Sequence, residues 1–246
     1  MIILISNDDG IHSPGLRALE KALQDIGQVW VVAPDRERNA IGRALTLHRP
    51  LRVEKISARR FAVNGTPSDC VNLAINGLLP AKPSLLVSGI NKGANLGDDV
   101  SYSGTISAAF EATLLGVPAF AISLAARSNF KYQPSALFAK KLAQRVLRYG
   151  LSSDTFLNVN VPDTKGREIR TCRITRQGKS IYDNSVIEKV DPRGGKYYWI
   201  GGNEIKFQQV DESDFQAIAD RFISITPLKT DHTNYAFIDA LKKWKI

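Results

Sequence analysis

Cysteine and histidine are scarce in this chain, and their scarcity excludes several kinds of site. The 246 residues include two cysteines, Cys70 and Cys172, and three histidines. The cysteines lie far apart without metal-ligand spacing, so we predict reduced thiols in a cytoplasmic protein and neither a disulfide nor a zinc site. His12, His48 and His232 are isolated in the sequence, and no H-E-x-x-H motif occurs.

Long apolar runs and nucleotide-binding glycine motifs are also absent. No stretch approaches the length of a membrane span, and no basic segment precedes the first apolar run, so we predict neither a membrane protein nor a signal peptide. No G-x-G-x-x-G follows the first predicted strand, and no G-x-S-x-G occurs. Gly178-Lys179-Ser180 resembles the end of a P-loop, but Arg173 stands where its first glycine is required.

Positive charge is in excess, with a formal net charge of +9. Basic proteins attract polyanions and nucleotides. The basic residues are spread along the chain without interleaved aromatic residues, so we expect no dedicated nucleic-acid site. Two interpretations remain, a solvated basic face and a basic rim that gathers phosphorylated substrates.

Apolar runs alternate with helical patterns through the first half of the chain. We predict strands at 2–6, 29–33, 85–88 and 119–123, with shorter strands near 51–53 and 61–63. Helices are predicted at 16–26, from Pro67 to about residue 79, and from about 108 to 115. This alternation predicts an α/β fold with a doubly wound, mostly parallel sheet.

The second half is less regular, although it shows no internal repeat or linker. Helices are predicted at 135–148 and 234–244, strands at 156–161 and 222–226, and short strand pieces within 169–200. We therefore expect one domain over 1–246, with a core of about 1–130, a helix and strands to 175, and an extension of hairpins and a helix over about 176–246. Long exposed hairpins often pack between subunits, so we expect an oligomer.

The first predicted strand ends in Asn7-Asp8-Asp9-Gly10. Ligands bind at the carboxyl ends of strands in open α/β sheets. Two adjacent carboxylates repel unless a cation lies beside them, and a hard divalent metal relieves that repulsion best. The alternative is a plain turn, because Asp-Gly is a common turn pair. A helical pattern follows where a hairpin would need a second strand, which favours the metal site.

Two further loops open on the same predicted edge of the sheet. Asn39 lies in the loop after the second strand, and Asn91 lies in the loop after the strand at 85–88. Carboxylate and amide oxygens suit Mg²⁺, Mn²⁺ or Ca²⁺ rather than zinc. The alternative for both asparagines is a purely structural turn, because asparagine is common in turns.

Small polar residues, Tyr102-Ser103-Gly104-Thr105, precede the helix predicted near 108. Free backbone N–H groups and the positive end of the helix dipole make such a helix start an anion site. The alternative is an N-cap alone. Because this segment follows closely on the loop of Asn91, the pattern indicates a phosphate held against a metal.

These motifs together resemble the SurE survival-protein family. The resemblance covers nearly the whole chain. It rests on SNDDG at 6–10, VAPDR at 32–36, GTPSDC at 65–70, SGINKG at 88–93, NLGDDVSYSGT at 95–105, DPRG at 191–194, YWIG at 198–201 and SITPL at 224–228.

The resemblance implies a fold, an activity and a cofactor. The fold is a Rossmann-like core with a C-terminal part that builds a homodimer or homotetramer. The activity is that of a 5′-nucleotidase, a metal-dependent phosphatase of nucleoside 5′-monophosphates, with action on 3′-monophosphates and in some members on short polyphosphate. One divalent cation per subunit (Mg, Mn or Co) would be held by Asp8, Asp9 and Asn91, together with Asn39, where the family has a serine.

The resemblance also implies roles for the site residues. A divalent cation polarises the phosphoryl oxygen and acidifies a water for in-line attack. Asp8 and Asp9 are the expected catalytic residues, and Asp8 is expected to orient or deprotonate the water. The residues expected to hold the phosphate are Asn7, Asn95, Ser103, Gly104 and Thr105.

Two other functions remain as alternatives. An aspartyl-phosphate phosphatase of the haloacid-dehalogenase type needs D-x-D, whereas Asp8 and Asp9 are adjacent. The second alternative is a non-catalytic nucleotide- or RNA-binding stress protein, which the net charge of +9 suggests.

Overall fold

The structure is a computed structural model that describes residues 1–163, 168–181, 186–200 and 206–244. The strands are β1 (Ile2–Ser6), β2 (Gln28–Pro34), β3 (Val53–Ser57), β4 (Arg60–Val63), β5 (Leu85–Lys92), β6 (Ala119–Ala125), β7 (Thr155–Pro162), β8 (Cys172–Ile174), β9 (Ser180–Ile181), β10 (Val186–Val190), β11 (Lys196–Ile200), β12 (Lys206–Phe207) and β13 (Ile223–Lys229). The α-helices are α1 (Pro14–Leu23), α2 (Pro67–Leu73), α3 (Gly104–Leu114), α4 (Gln133–Tyr149), α5 (Asp214–Ala219) and α6 (Tyr235–Lys242).

Nine of these strands form one central sheet in the order β3-β4-β2-β1-β5-β6-β7-β13-β8. The six strands from β4 to β7 are parallel, whereas β3 runs antiparallel to β4 and β13 antiparallel to β7. Helices α1 and α4 cover one face of the sheet, and α2 and α3 cover the other. The predicted α/β fold with a doubly wound, mostly parallel sheet is confirmed.

The central strand β1 explains why its apolar run is continuous. Ile3 and Ile5 pack with α1 and α4, while Leu4 packs with α2 and α3, and all three side chains are fully buried. A parallel strand between two helical layers needs apolar side chains on both faces. Strand β1 pairs with β2 on one side and with β5 on the other, so the strand order reverses between β1 and β5. This reversal point is where α/β sheets bind ligands.

Some predicted boundaries differ from the structure. The helix predicted from Pro67 to about residue 79 does end there, but it is α-helical only to Leu73 and continues as a π-helical stretch, Ala74–Leu78. The strand predicted at 85–88 extends to Lys92, so Asn91, which we predicted in the loop after it, lies within β5 and pairs with Ser123 of β6. The strand predicted near 51–53 begins instead at Val53. Its predecessor Arg52 donates its amide to the Asn64 side chain instead of a backbone carbonyl, while its own carbonyl accepts from the Asn64 amide over 3.2 Å.

The C-terminal part both joins the central sheet and departs from it. Strand β13 lies within the predicted extension, yet its buried Ile223 and Ile225 place it between β7 and β8. The β10–β11 hairpin is a separate two-stranded sheet, as is the β9–β12 pair. Within the extension, residues 182–185, 201–205 and 245–246 lie outside the described residues, and so does Gly201 of the YWIG motif. The described helices include none long and apolar enough to cross a membrane.

Candidate active site

Three loops meet at the reversal point of the sheet, one after each of β1, β2 and β5. A cavity of about 290 Å³ opens between them and the start of α3. Its lining includes five predicted site residues, Asp8, Asn39, Asn91, Asn95 and Ser103. The structure therefore brings together residues that are up to 95 positions apart in the sequence, from 8 to 103.

The carboxylate of Asp8 lies at the N-terminus of α3. The Thr105 amide donates to Oδ2 of Asp8 over 3.1 Å, and the Thr105 hydroxyl donates to Oδ1. Asp8 is only 4% exposed, and this burial raises its pKa, while the hydrogen bonds from Thr105 oppose that rise. A helix N-terminus favours negative charge, so α3 stabilises the Asp8 carboxylate in its buried position.

Asp9 is half-buried beside Asp8. Its Oδ2 accepts a hydrogen bond from the Lys92 amide over 3.1 Å. Burial, followed by the negative charge of Asp8, raises the pKa of Asp9 to about 6. Two neighbouring carboxylates whose charged forms are both disfavoured fit a divalent cation, because a cation offsets both the burial and the mutual repulsion.

The two predicted amide ligands already use their nitrogens as donors. Asn91 Nδ2 donates to the Gly93 carbonyl over 3.0 Å, and Asn39 Nδ2 donates to the Glu37 carboxylate. The amide oxygens are then the atoms that suit a hard cation. The β5–β6 pairing shifts register between Gly89 and Asn91. Such irregularities are common beside active sites, where they change the direction of a side chain at the end of a strand.

The donor set of this site combines carboxylates with amides. Within the described ranges, no group of three or more histidine, cysteine, aspartate or glutamate side chains is arranged to hold a metal. A cation here could be held by the carboxylates of Asp8 and Asp9 together with the amide oxygens of Asn39 and Asn91. Such an all-oxygen set fits Mg²⁺ or Mn²⁺.

A buried polar network fixes Asn95, which lines the cavity. The Asn95 amide donates to Asn160 Oδ1 over 2.8 Å, and the Asn95 carbonyl accepts from the side chains of Asn158 and Asn160 over 2.8 and 2.9 Å. Asn95 Nδ2 donates to Ser123 Oγ over 2.8 Å. We did not predict Asn158, Asn160 or Ser123. Their spacing could have indicated them. Asn158 and Asn160 stand two positions apart in an otherwise apolar strand, so their side chains lie on the same face of the sheet.

The start of α3 is built differently from the predicted phosphate site. Ser103 lines the cavity and caps the helix, with its Oγ accepting from the Ile106 amide over 3.2 Å. Thr105 is fully buried against Asp8. A Cβ added at Gly104 would lie 2.8 Å from the Cβ of Asp8, so only glycine permits this close approach. Gly104 and Thr105 therefore hold Asp8 in place.

Asn7 lies away from the cavity lining. Its side chain is fully buried, and Nδ2 donates to the Gly10 carbonyl over 3.1 Å and to Ser13 Oγ over 2.7 Å. Ser13 is the N-cap of α1. Asn7 thus connects the acidic loop to the start of α1 and fixes the path of the chain past Asp8 and Asp9.

A second cavity of about 680 Å³ adjoins the first, and Lys92 lines both. Its lining residues are Asp9, His12, Ser13, Pro14, Glu37, Lys92, Asn129, Phe130 and Tyr132. The rings of Phe130 and Tyr132 are nearly parallel, with their centroids 6.2 Å apart, and the Lys92 ammonium lies 5.5 Å from the Phe130 centroid. We did not predict this aromatic surface beside Asp9.

Comparison with known proteins agrees with this geometry. The family model described as "Survival protein SurE" matches residues 3–184. The chain is 56% identical to "5′-nucleotidase SurE" of Geotalea daltonii over the full length of both, and 56% identical to that of Geobacter sulfurreducens over 100% of this chain and 94% of the relative. The crystal structure of SurE from Aquifex aeolicus superposes with a TM-score of 0.89, at 41% identity and 98% coverage of both chains. The predicted resemblance is confirmed, and the chain belongs to the SurE family.

Proposed function

We propose that this chain is a 5′-nucleotidase that hydrolyses nucleoside 5′-monophosphates to nucleoside and phosphate. One observation carries the proposal: the buried Asp8 carboxylate and the N-cap of α3, Ser103, line one cavity, and Asp9, the neighbour of Asp8, lines the adjoining cavity. Relatives named 5′-nucleotidase SurE, at 56% identity over the full chain, support the same activity.

The cavity residues would have different roles in phosphate ester hydrolysis. Asp8, Asp9, Asn39 and Asn91 would hold one divalent cation, which when bound supplies a Lewis acid for the phosphoryl group and lowers the pKa of a water. The Asn95 side chain and the Ser103 hydroxyl would contact phosphate oxygens. Each Asp8 oxygen already accepts one hydrogen bond from Thr105 and keeps a lone pair. Asp8 can thus orient a water and accept its proton.

The two adjoining cavities match the two halves of the substrate. A phosphate in the smaller cavity would direct its ester oxygen towards Lys92, which lines both cavities. The larger cavity, of about 680 Å³, offers the Phe130 ring for stacking with a base and His12 and Asn129 for polar contacts. We therefore place the nucleoside beside Phe130.

The assembled enzyme is proposed to be a cytoplasmic homodimer or homotetramer. Hairpin β10–β11 exposes 62% of Trp199 and 93% of Ile200, and α6 has no buried residue within its described length. A lone two-stranded hairpin is marginally stable in water, so an apolar hairpin of this kind needs a packing partner. A second copy of the chain supplies one with the same surfaces. The thiols of Cys70 and Cys172 are free, as expected in a reducing compartment.

A matrix of phosphate esters and metals tests the activity. Nucleoside 5′- and 3′-monophosphates, p-nitrophenyl phosphate and tripolyphosphate are each incubated with Mg²⁺, Mn²⁺ or Co²⁺, or with a chelator. We expect phosphate release from 5′-monophosphates with a cation and none with chelator. Asp8→Asn and Asp9→Asn should each retain the fold and lose nearly all activity, because charge is needed to hold a hard cation.

Three results would contradict this proposal. Nucleotide binding without turnover under every metal would support the alternative of a nucleotide- or RNA-binding protein. A trapped phospho-enzyme would support an aspartyl-phosphate mechanism. An Asp9→Asn variant with more than about a tenth of the wild-type activity and normal metal content would remove Asp9 from the ligand set, since losses around a metal site are commonly 10- to 100-fold.

A further inference from the structure

The loop between Asn95 and Ser103 is held from outside the candidate site by the C-terminal extension. Its central turn, Gly97–Ser101, forms a short 3₁₀-helix. Residues 177–180, just before and within β9, and the start of α5 pack against this turn. The loop that carries two proposed phosphate ligands is therefore braced by residues about 80 to 117 positions later in the chain.

Asp214 is the centre of this brace. Its side chain is fully buried, and its carboxylate accepts from three backbone amides: Gly97 over 2.9 Å at Oδ2, and Gly178 over 2.9 Å and Phe215 over 2.8 Å at Oδ1. Backbone donors of this kind stabilise a buried carboxylate. One side chain thus ties together the site loop, the segment before β9 and the start of α5.

Two glycines make the close packing possible. A Cβ added at Gly97 would lie 2.5 Å from Cε2 of Phe215, and one added at Gly178 would lie 2.5 Å from Cδ2 of the same ring. Gly97 also has a φ of +52°, in the left-handed region that favours glycine. The Phe215 ring can therefore lie directly against both segments.

Further bonds extend the brace along the loop. Gln177 Nε2 donates to the Gly97 carbonyl over 2.9 Å, and the Ser180 amide donates to the Asp98 carboxylate over 3.1 Å. The Lys179 ammonium lies 3.1 Å from the same carboxylate. Gly178-Lys179-Ser180, the P-loop-like tripeptide that lacks its first glycine, thus contacts a loop of the protein itself.

We propose that Asp214 is a positioning residue for phosphate binding. Its bond to the Gly97 amide fixes the path of the chain so that Asn95 and Ser103 line the cavity together. The extension then acts in substrate binding in addition to its expected place in assembly. The inference rests on the proposed phosphate-binding function of the cavity. It adds that Asp214, which is not among the lining residues, supports this function.

Asp214→Asn is a specific probe of this bond. An amide group has one acceptor oxygen, which we expect to stay with the two donors Gly178 and Phe215, while its NH₂ group faces the Gly97 amide. The variant therefore loses the bond to the site loop and keeps the other two. We expect the inhibition constant of inorganic phosphate and the KM for a nucleoside 5′-monophosphate to rise by about tenfold, on the scale of one hydrogen bond to a charged group. The half-activating Mn²⁺ concentration should stay within about twofold, because all four proposed cation ligands lie outside the braced segment from Asn95 to Ser103.

Asp220→Asn is the matched control. Asp220 follows the same helix and pairs with Arg173 over 2.8 Å, so its substitution also removes a carboxylate from this region without touching the site loop. Calorimetric titration with inorganic phosphate measures binding without turnover. A second variant, Gln177→Ala, removes the bond to the Gly97 carbonyl and should weaken phosphate binding in the same direction, even where Asp214→Asn folds poorly.

Three outcomes would contradict the inference that Asp214 positions the phosphate-binding loop. A lower melting temperature of Asp214→Asn with unchanged phosphate affinity and KM would make Asp214 a structural residue only. An equal change in phosphate and Mn²⁺ affinity would mean that the whole site moves. Unchanged phosphate affinity in Gln177→Ala would likewise contradict a brace from this side. A wild-type protein without phosphatase activity would instead count against the proposed function, which keeps the two failures distinct.

Discussion

The Thr105 residue donates twice to Asp8, through its amide to Oδ2 over 3.1 Å and through its hydroxyl to Oδ1. The predicted anion site at the start of α3 thus holds a carboxylate of the protein itself. Gly104 permits the approach, because any Cβ there would meet the Cβ of Asp8. The helix start therefore sets the position of a proposed cation ligand, and phosphate would bind beside it.

The Thr105 hydroxyl should control cation affinity. Thr105→Val keeps the shape of the side chain but loses the bond to Asp8, whereas Thr105→Ser keeps the hydroxyl. We expect Thr105→Val to raise the half-activating Mn²⁺ concentration by about tenfold or more, the scale seen when the support of a metal ligand is removed, and Thr105→Ser to stay near wild type. Mn²⁺ titration of activity and calorimetric Mn²⁺ binding measure this. A change in phosphate inhibition alone would instead favour direct phosphate binding by Thr105.

Asn39 tests whether an amide can replace the serine of the family. Asn39→Ala removes the proposed donor and should weaken apparent Mn²⁺ affinity by about tenfold or more. Asn39→Ser should keep substantial activity, with a water filling the gap. Mn²⁺ titration of both variants decides the matter. An unchanged half-activation concentration in Asn39→Ala would leave Asn39 with only its bond to Glu37.

Phe130 should distinguish nucleotides from smaller phosphate esters. Phe130→Ala removes the proposed stacking surface, so KM for nucleoside monophosphates should rise by about five- to tenfold, within the range of aromatic stacking on a base. KM for glycerol phosphate should not change, because that ester reaches only the smaller cavity. Tyr149→Ala is the control, since Tyr149 is an exposed aromatic residue at the end of α4. Equal effects on both substrates would place the nucleoside elsewhere.

Trp199 should report on assembly. Trp199→Glu puts a charge on the apolar β10–β11 hairpin, and burial of an unpaired charge in an interface is strongly unfavourable. We expect a smaller oligomer than wild type by light scattering coupled to size-exclusion chromatography. Tyr149→Glu adds the same charge on another exposed aromatic residue, 68% exposed, and should leave the mass unchanged. An unaltered mass for Trp199→Glu would exclude this hairpin from the interface.

Local patterns identify the parts of the fold that depend on few long-range contacts. The apolar run of β1 predicts a strand buried on both faces, and Thr66-Pro67 predicts the start of α2, where Thr66 and Asp69 form a capping box. The end of this helical stretch near residue 79 was predicted, but the change from α-helical to π-helical bonds at Ala74 was not, because it leaves no periodicity signal. The start of β3 was missed because the Arg52 amide bonds to Asn64, 12 positions later.

The candidate site divides in the same way. The sequence predicts which residues could carry the chemistry, since strand ends rich in carboxylates and amides meet at one edge of a parallel sheet. The hydrogen-bond partners of those residues depend on the tertiary structure. Thr105 donates to Asp8, and the side chains of Asn158 and Asn160 donate to the Asn95 carbonyl. Asp214 accepts from the Gly97 amide, although the two residues are 117 positions apart. Hydrogen-bond partners far apart in sequence are chosen by packing, because each buried polar group must find a donor or acceptor within about 3 Å.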